Sequence, residues 1–410
     1  MTERKVLVVS AFEAEMQPLA SACAAAALSE VGAEVTAWDA HLFARPEPVG
    51  RFDLALVGVG QFEGLARGLD LVRRLRNRAS RTIVFGQYAQ MNSAAFLDEA
   101  DGVLFEEPER VARELVSGEL ANVPALRGSW GMAPRPPHRR LAYTKPAREL
   151  FPSLVHYHAH HTRYGLMGNI EATRGCHHRC TYCSVYGAYD GGIAPIEAEA
   201  VVRDALQLAD EGVRHFCFID AEFFNSRRLG IQVAERIVAE VGPCTFEMTT
   251  RVDHILDYTA ELERFVELGL RRVTSALEFP SDRILRIFDK GIDLGDTRRA
   301  IAEADRLGFA LNPTFIPFTP WVSYEELLTF EDFLAETGLE RTTDPTALQT
   351  RLLLFKGSPL LGSPWLDGVD TVDRGFFVEW THPDRRVEEL WLRRRQDAED
   401  VGKVRCCVKC

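Results

Sequence analysis

No stretch of this 410-residue chain approaches the roughly 20 apolar residues of a membrane-spanning helix. The apolar run within MTERKVLVVSAFEAE is too short for a signal peptide, and Glu13 and Glu15 interrupt it where a cleavage region would lie. Positive charge is in deficit, with 48 Lys and Arg against 60 Asp and Glu and a formal net charge of −12. That balance argues against broad binding to nucleic acid or to an anionic membrane, although a local basic groove stays open. Internal repeats and low-complexity tracts are also lacking. The expected compartment is the cytoplasm, where thiols stay reduced. Nine cysteines there point to metal or redox chemistry before disulfides.

A chain of this length is expected to form two or three domains. Apolar strands at 5–11, 34–40, 53–60, 82–86 and 102–105 alternate with helices, including an alanine-rich one over 14–30. Leu65, Leu69, Val72 and Leu75 recur at helical spacing. The pattern predicts an α/β fold: a Rossmann-like, doubly wound parallel sheet over residues 1–122. PRPPHRR at 134–140 sustains neither regular element, so 123–164 reads as a linker. A second βα series follows, with strands expected at 168–175, 215–220, 245–251, 271–278, 310–318 and 347–355. It predicts a partial (β/α)6 barrel over 165–365, with its active site at the C-terminal ends of the strands. Residues 366–410 remain as a cap and cysteine tail, with a charged helix near 385–397.

Six cysteines fall in two clusters. Cys176, Cys180 and Cys183 occupy a loop after a strand. Three thiolates this close can hold three irons of a 4Fe–4S cubane and leave the fourth iron open. The alternative is zinc on the three cysteines plus His177 or His178, although no second CxxC knuckle lies nearby. Cys406, Cys407 and Cys410 sit between and beside Arg405 and Lys409, which favour thiolates. Such a soft pocket suits trivalent arsenic, zinc, copper(I) or a second cluster; a scavenging tail and a redox relay stay open. Cys23, Cys217 and Cys244 read as small buried hydrophobes. Alternation places His156, His158 and His160 on one face of a strand, with His161 beside them. No carboxylate or cysteine accompanies them in the sequence, so a metal role is not favoured.

The spacing CxxxCxxC after EATRG, with Tyr182 before the third cysteine, resembles the radical S-adenosylmethionine (SAM) superfamily over residues 165–360. The resemblance implies a 4Fe–4S cluster whose open iron is chelated by SAM, and a reductant such as flavodoxin or ferredoxin. It implies SAM contacts at Tyr182, at Glu222 (amino group), at Glu278 (ribose), and at Arg251 and Lys290 (carboxylate). Both glycines of the family's Gly-Gly-Glu-like segment are missing before Glu222. Surface salt bridges are the alternative for Arg251 and Lys290. Ile316-Pro317-Phe318 resembles the adenine-contacting strand, and an ordinary core explains it equally well.

The N-terminal half resembles the cobalamin-binding domains of some radical SAM enzymes. Their Asp-x-His-x-x-Gly signature is absent after the first strand, which reads Ser10-Ala11-Phe12-Glu13-Ala14-Glu15. Asp39-Ala40-His41-Leu42-Phe43-Ala44 is a near miss after the second strand. Cobalamin is therefore not favoured, and the domain is expected to serve packing or substrate capture. The ending Arg405-Cys406-Cys407-Val408-Lys409-Cys410 resembles that of RCCLKC-tail radical SAM proteins. It implies transfer of the 3-amino-3-carboxypropyl group of SAM to trivalent arsenic held by the three tail cysteines, as in arsinothricin biosynthesis. The rivals are a cobalamin-dependent methyltransferase of a small metabolite and a non-catalytic metal or arsenite sensor.

Overall fold

A computed structural model describes residues 4–42, 44–132, 134, 140–141 and 143–400. The chain divides into two compact units. One comprises Met1–Arg174, Ile193–Cys217 and Glu235–Pro243; the other comprises Gly175–Gly192, Phe218–Ala234 and Cys244–Cys410.

In the first unit, seven strands form one sheet: β1 (Arg4–Ser10), β2 (Ala33–Asp39), β3 (Leu54–Gly58), β4 (Thr82–Phe85), β5 (Gly102–Leu104), β6 (Leu126–Gly128) and β7 (Gly131–Met132). Their order is β2-β1-β3-β4-β5-β6-β7. The first five are mutually parallel, and β6 and β7 add an antiparallel edge that carries the sheet beyond residue 122. Val6, Val8, Leu54, Leu56 and Ile83 are fully or almost fully buried, as the uninterrupted apolar runs require. Strand order reverses between β1 and β3, and doubly wound sheets bind ligands outside the carboxyl ends of the strands at such a point. The alanine-rich helix starts at Leu19 rather than near 14. Pro18 disfavours helical geometry at Gln17, and Glu13 Oε1 accepts the free N–H groups of Leu19 and Ala20 at 3.0 and 3.4 Å.

The second series comprises β8 (His161–Thr162), β9 (Gly165–Ile170), β10 (Thr173–Gly175), β11 (Ile193–Pro195), β12 (His215–Phe218), β13 (Thr245–Thr249), β14 (Leu270–Glu278) and β15 (Ala310–Phe315). Its six-stranded sheet has the order β15-β14-β13-β12-β9-β8, the curled half-barrel expected from the βα repeat. Two details differ from expectation. The strand expected at 168–175 breaks at Glu171–Ala172, and its second half, β10, pairs with β11 in a separate ribbon. The strand expected at 347–355 opens as a 3₁₀ turn at Pro345–Gln349, because Asp344 accepts the Thr346 N–H at 2.8 Å. It retains one parallel bridge, Phe318 to Arg351. Leu354–Phe355 (β16) then joins β17 (Asp370–Asp373) and β18 (Phe377–Thr381) in a small antiparallel sheet.

The helix Arg385–Asp400 closes the described chain. Arg351 fixes it, with its guanidinium 3.8 Å from the Trp380 ring and 4.4 Å from that of Trp391, and both Glu388 oxygens within 2.8 Å. Among the described residues no helix is long and apolar enough to cross a membrane.

Candidate functional site

The cysteine loop begins at a backbone position that only glycine tolerates. Gly175 has φ 87°, and a Cβ there would lie 2.3 Å from Gly192 O. Asn225 then clamps the entry: its Nδ2 donates to Gly175 O at 2.8 Å, and its Oδ1 accepts the His177 N–H at 3.4 Å. Thr181 anchors the middle, donating its N–H to Phe288 O (3.1 Å) and its hydroxyl to Ile287 O (2.8 Å). Its carbonyl accepts the Leu360 N–H at 3.0 Å and the Ser358 hydroxyl at 2.7 Å. Cys183 precedes the short helix Ser184–Tyr189. The backbone is thus pinned by polar contacts that leave the three thiols to other partners.

Cys180 is buried; Cys176 and Cys183 are half-buried. Burial pushes the Cys176 thiol up to about 12 and raises that of Cys183 as well. Thiolates here need positive charge, and a metal cluster supplies it. The surroundings fit that role: Arg251 Nη1 donates to Cys180 Sγ at 3.2 Å. Among the described residues no three His, Cys, Asp or Glu groups are placed to hold one metal ion. His178 packs on His254 at 4.9 Å, and burial, then Arg251 and His254, lower its pKa to about 4. His177 Nδ1 lies 3.3 Å from Gly191 O.

The five residues assigned to SAM gather in two linked groups beside this loop. In the first, Glu222 is a brace. Its Oε1 accepts the Thr250 hydroxyl (2.6 Å) and the Phe224 N–H (3.0 Å), and its Oε2 accepts the Arg251 N–H (2.9 Å). His254 Nδ1 lies 2.9 Å from Oε1. In the second, Glu278 accepts the Tyr182 hydroxyl and, at 2.9 Å, Lys290 Nζ. Glu278 ends β14 with φ 60°, where the pairing register with β15 shifts between Ala276 and Glu278. A left-handed, non-glycine residue at a bulge stores roughly 1–3 kcal/mol of strain, a mark of functional sites.

Lys290 and Arg251 are 3% and 9% exposed, so neither forms a surface salt bridge. Burial opposes the Lys290 charge, but Glu278 and the Cys180 sulfur outweigh it and its pKa is raised. Arg251 links the two groups, donating through Nη2 to Lys290 O and through Nε and Nη2 to Asp253 at 2.8 and 2.9 Å.

Thr250, Asp253, His254, Asn225 and Thr181 were not picked out from sequence. The run Thr249-Thr250-Arg251-Val252-Asp253-His254 carried a signal, since polar residues crowd the end of a barrel strand where active sites form. Ile316 and Phe318 are buried just beyond β15, and Ile316 donates its N–H to Glu278 O at 2.7 Å.

Elsewhere the histidine expectation is corrected. Residues 154–156 and 158–160 are 3₁₀ turns, so His156, His158 and His160 do not share a strand face. His160 is buried, its Nε2 accepting the Gln17 N–H at 2.8 Å and its Nδ1 facing Met167 O at 2.7 Å. A carboxylate does lie near His158, with Glu15 at 3.9 Å. Cys23 and Cys244 are buried as expected, whereas Cys217 is only half-buried. Cys406, Cys407 and Cys410 lie outside the described residues, as does Phe43.

At the crevice of the first sheet, the Phe12 ring meets His41 edge-on at 4.7 Å, and Arg67 Nη1 lies 3.0 Å from His41 Nδ1. Asp39 Oδ1 accepts the His41 and Leu42 N–H groups at 2.9 and 3.4 Å, so the near-miss motif spends its aspartate on its own turn. Beyond β3, a Cβ on Gly60 would meet nothing within 4 Å, so the backbone at this end of the sheet is uncovered.

Residues 170–334 match the family model of the Radical SAM superfamily. The chain is 23% identical over 328 residues to the hopanoid C-3 methylase of Methylococcus capsulatus, covering 75% of this chain and 62% of that protein. It is 27% identical over 222 residues to the cytidylyl-2-hydroxyethylphosphonate methyltransferase of Streptomyces wedmorensis, covering 51% and 39%. The chain thus spans less than two thirds of either relative. Among solved structures it resembles the cobalamin-dependent SAM radical enzyme OxsB with aqua-cobalamin and SAM bound: TM-score 0.75, 14% identity, 97% of this chain and 67% of that one. The radical SAM methyltransferase TsrM from Kitasatospora setae, with tryptophan and a SAM analogue bound, gives TM-score 0.65, 18% identity, 87% and 75%. These structural likenesses concern the fold.

Proposed function

We propose that this chain, whose residues 170–334 match the Radical SAM family model, is a cobalamin-dependent radical SAM methyltransferase of a small metabolite. The observation that carries the reading is one chain joining a doubly wound sheet, with its strand order reversing between β1 and β3, to a barrel headed by Cys176, Cys180 and Cys183. The two relatives support methyl transfer, the neighbours solved with cobalamin bound support the corrinoid, and the reading departs from the expectation that cobalamin is not favoured.

When bound, a 4Fe–4S cluster supplies single electrons and a corrinoid supplies methyl carriage. The rest falls to the protein. Cys176, Cys180 and Cys183 hold the cluster. Lys290 and Arg251 keep positive charge beside Cys180, and Tyr182 and Lys290 fix the Glu278 carboxylate at the strand end. Glu222 holds the backbone of Arg251 in place. Reduction of the cluster needs an external donor such as flavodoxin or ferredoxin.

A second reading, transfer of the 3-amino-3-carboxypropyl group to trivalent arsenic, is favoured by the thiols Cys406, Cys407 and Cys410 together with the anchoring of the helix before them. Arg394 of that helix lies 5.7 Å from the Phe318 ring, just past the end of β15.

One experiment separates the readings. Protein reconstituted anaerobically with iron, sulfide and hydroxocobalamin is given reductant and SAM labelled in its methyl or its aminocarboxypropyl carbons, with and without arsenite. Methyl label in a carbon product, dependent on corrinoid, supports the first reading. Aminocarboxypropyl label bound to arsenic without corrinoid overturns it in favour of the second.

A further inference from the structure

We infer that Arg251 is a positioning residue that sets the redox level of the cluster by holding a cation against one ligand sulfur. The inference rests on the radical SAM reading of the cysteine loop, but not on which group is transferred. The family resemblance offered Arg251 as a candidate for the SAM carboxylate or a salt bridge; the structure ties its guanidinium to Asp253, Lys290 and Cys180. Its Nε and Nη2 are bound by Asp253, Nη2 also donates to Lys290 O, and its backbone N–H is held by Glu222. The side chain is thereby fixed with Nη1 directed at Cys180 Sγ, 3.2 Å away.

Both partners are buried, Arg251 at 9% and Cys180 at 7% exposure, so water competes little for this charge-assisted bond. Hydrogen bonds to sulfur and local charge are levers on iron–sulfur potentials. Reduction adds negative charge to the cluster, so a cation at a ligand sulfur stabilises the reduced form and raises the potential. Asp253 acts in the opposite sense. Its carboxylate, 28% exposed, offsets part of the Arg251 charge from the side away from the sulfur bond. The pair therefore makes a two-signed prediction that a merely structural role does not.

The test is a potentiometric titration of anaerobically reconstituted, full-length protein, followed by electron paramagnetic resonance, with iron content measured alongside. Arg251→Gln is expected to shift the redox equilibrium toward the oxidised cluster by about tenfold, 59 mV for a one-electron couple. Arg251→Lys keeps the charge and stays closer to wild type. Asp253→Asn is expected to shift the equilibrium by about threefold the other way, less because the carboxylate is partly solvated. An Arg251→Gln protein with a full cluster and an unmoved potential would overturn the inference, as would shifts of the same sign in both variants. Should Arg251→Gln fail to take up iron, the sign of the Asp253→Asn shift decides. A wild-type protein that takes up no cluster ends the radical SAM reading, and this inference with it.

Discussion

Two buried arginines show how similar materials make a joint in one unit and a site in the other. Arg148, in the first unit, places all five N–H donors on oxygen. It grips Asp204 at 2.6 and 2.8 Å, and binds Gln17 Oε1, Asn169 Oδ1 and Asn169 O at 2.8, 3.1 and 2.5 Å. Its shell is complete and its charge is matched by one carboxylate. Arg251, in the second unit, also has a carboxylate partner, yet it directs one donor to sulfur. A closed shell of oxygen suits stability, whereas a cation aimed at a thiol suits chemistry. The surrounding backbone agrees, since the strained Glu278 lies in the Arg251 network.

The largest effect that sharpens this contrast is all-or-none. Cys180→Ala should reduce iron from about four per chain to less than one and abolish turnover. Measured against cluster-free wild type, its unfolding free energy should change by only about 1 kcal/mol, because one small side chain is removed. Iron analysis beside urea unfolding checks both. Full iron in this variant would break the assignment of the loop.

Arg148→Met should act in the opposite way. It leaves Asp204 buried without its cation and should lower stability by about 3–5 kcal/mol. Iron per folded molecule and turnover at low temperature should be retained. If turnover were lost at full stability, Arg148 would belong to a site and the contrast would fail.

Tyr182→Phe should be milder, at about 1.5–3 kcal/mol, the usual worth of a hydrogen bond to a charged group. Denaturant midpoints measure it. Combined with Lys290→Met, its effect should be non-additive, since both residues serve the same Glu278 carboxylate.

What the sequence disclosed follows from how local each signal is. Five parallel strands of the first sheet were legible because strands buried on both faces read as continuous apolar runs. The cysteine loop was legible because its three ligands lie within eight residues. Arg251 and Lys290 could be named as candidates, but their roles could not be read. Arg251 meets a cysteine 71 positions away, and Lys290 meets a carboxylate 12 positions away across a bulge that no sequence pattern announces. The failed strand at 347–355 has the same kind of cause: its apolar run was visible, but the Asp344 cap that turns its start into 3₁₀ geometry outweighs that pattern.

The smallest effect probes a carboxyl group that neither arginine network contains. Glu13 accepts two backbone N–H groups at the start of the helix Leu19–Glu30, and burial raises its pKa from 4.5 to about 7 against the lowering effect of those bonds. With the folded value above the unfolded one, the native state binds the extra proton between these limits. Stability from this group is therefore complete below pH 4.5 and is lost as pH rises to about 7. Glu13→Gln keeps the acceptor oxygen and removes the titration. Because the residue is only half-buried, solvent screening reduces the expected effect to about 1 kcal/mol. Urea unfolding at pH 5 and pH 8 should show wild type losing that much more stability than Glu13→Gln over the interval. Were Glu13→Gln instead the less stable protein at pH 8, the carboxylate would be charged and in use. The end of β1 would then be a second place where the chain holds charge for a purpose other than packing.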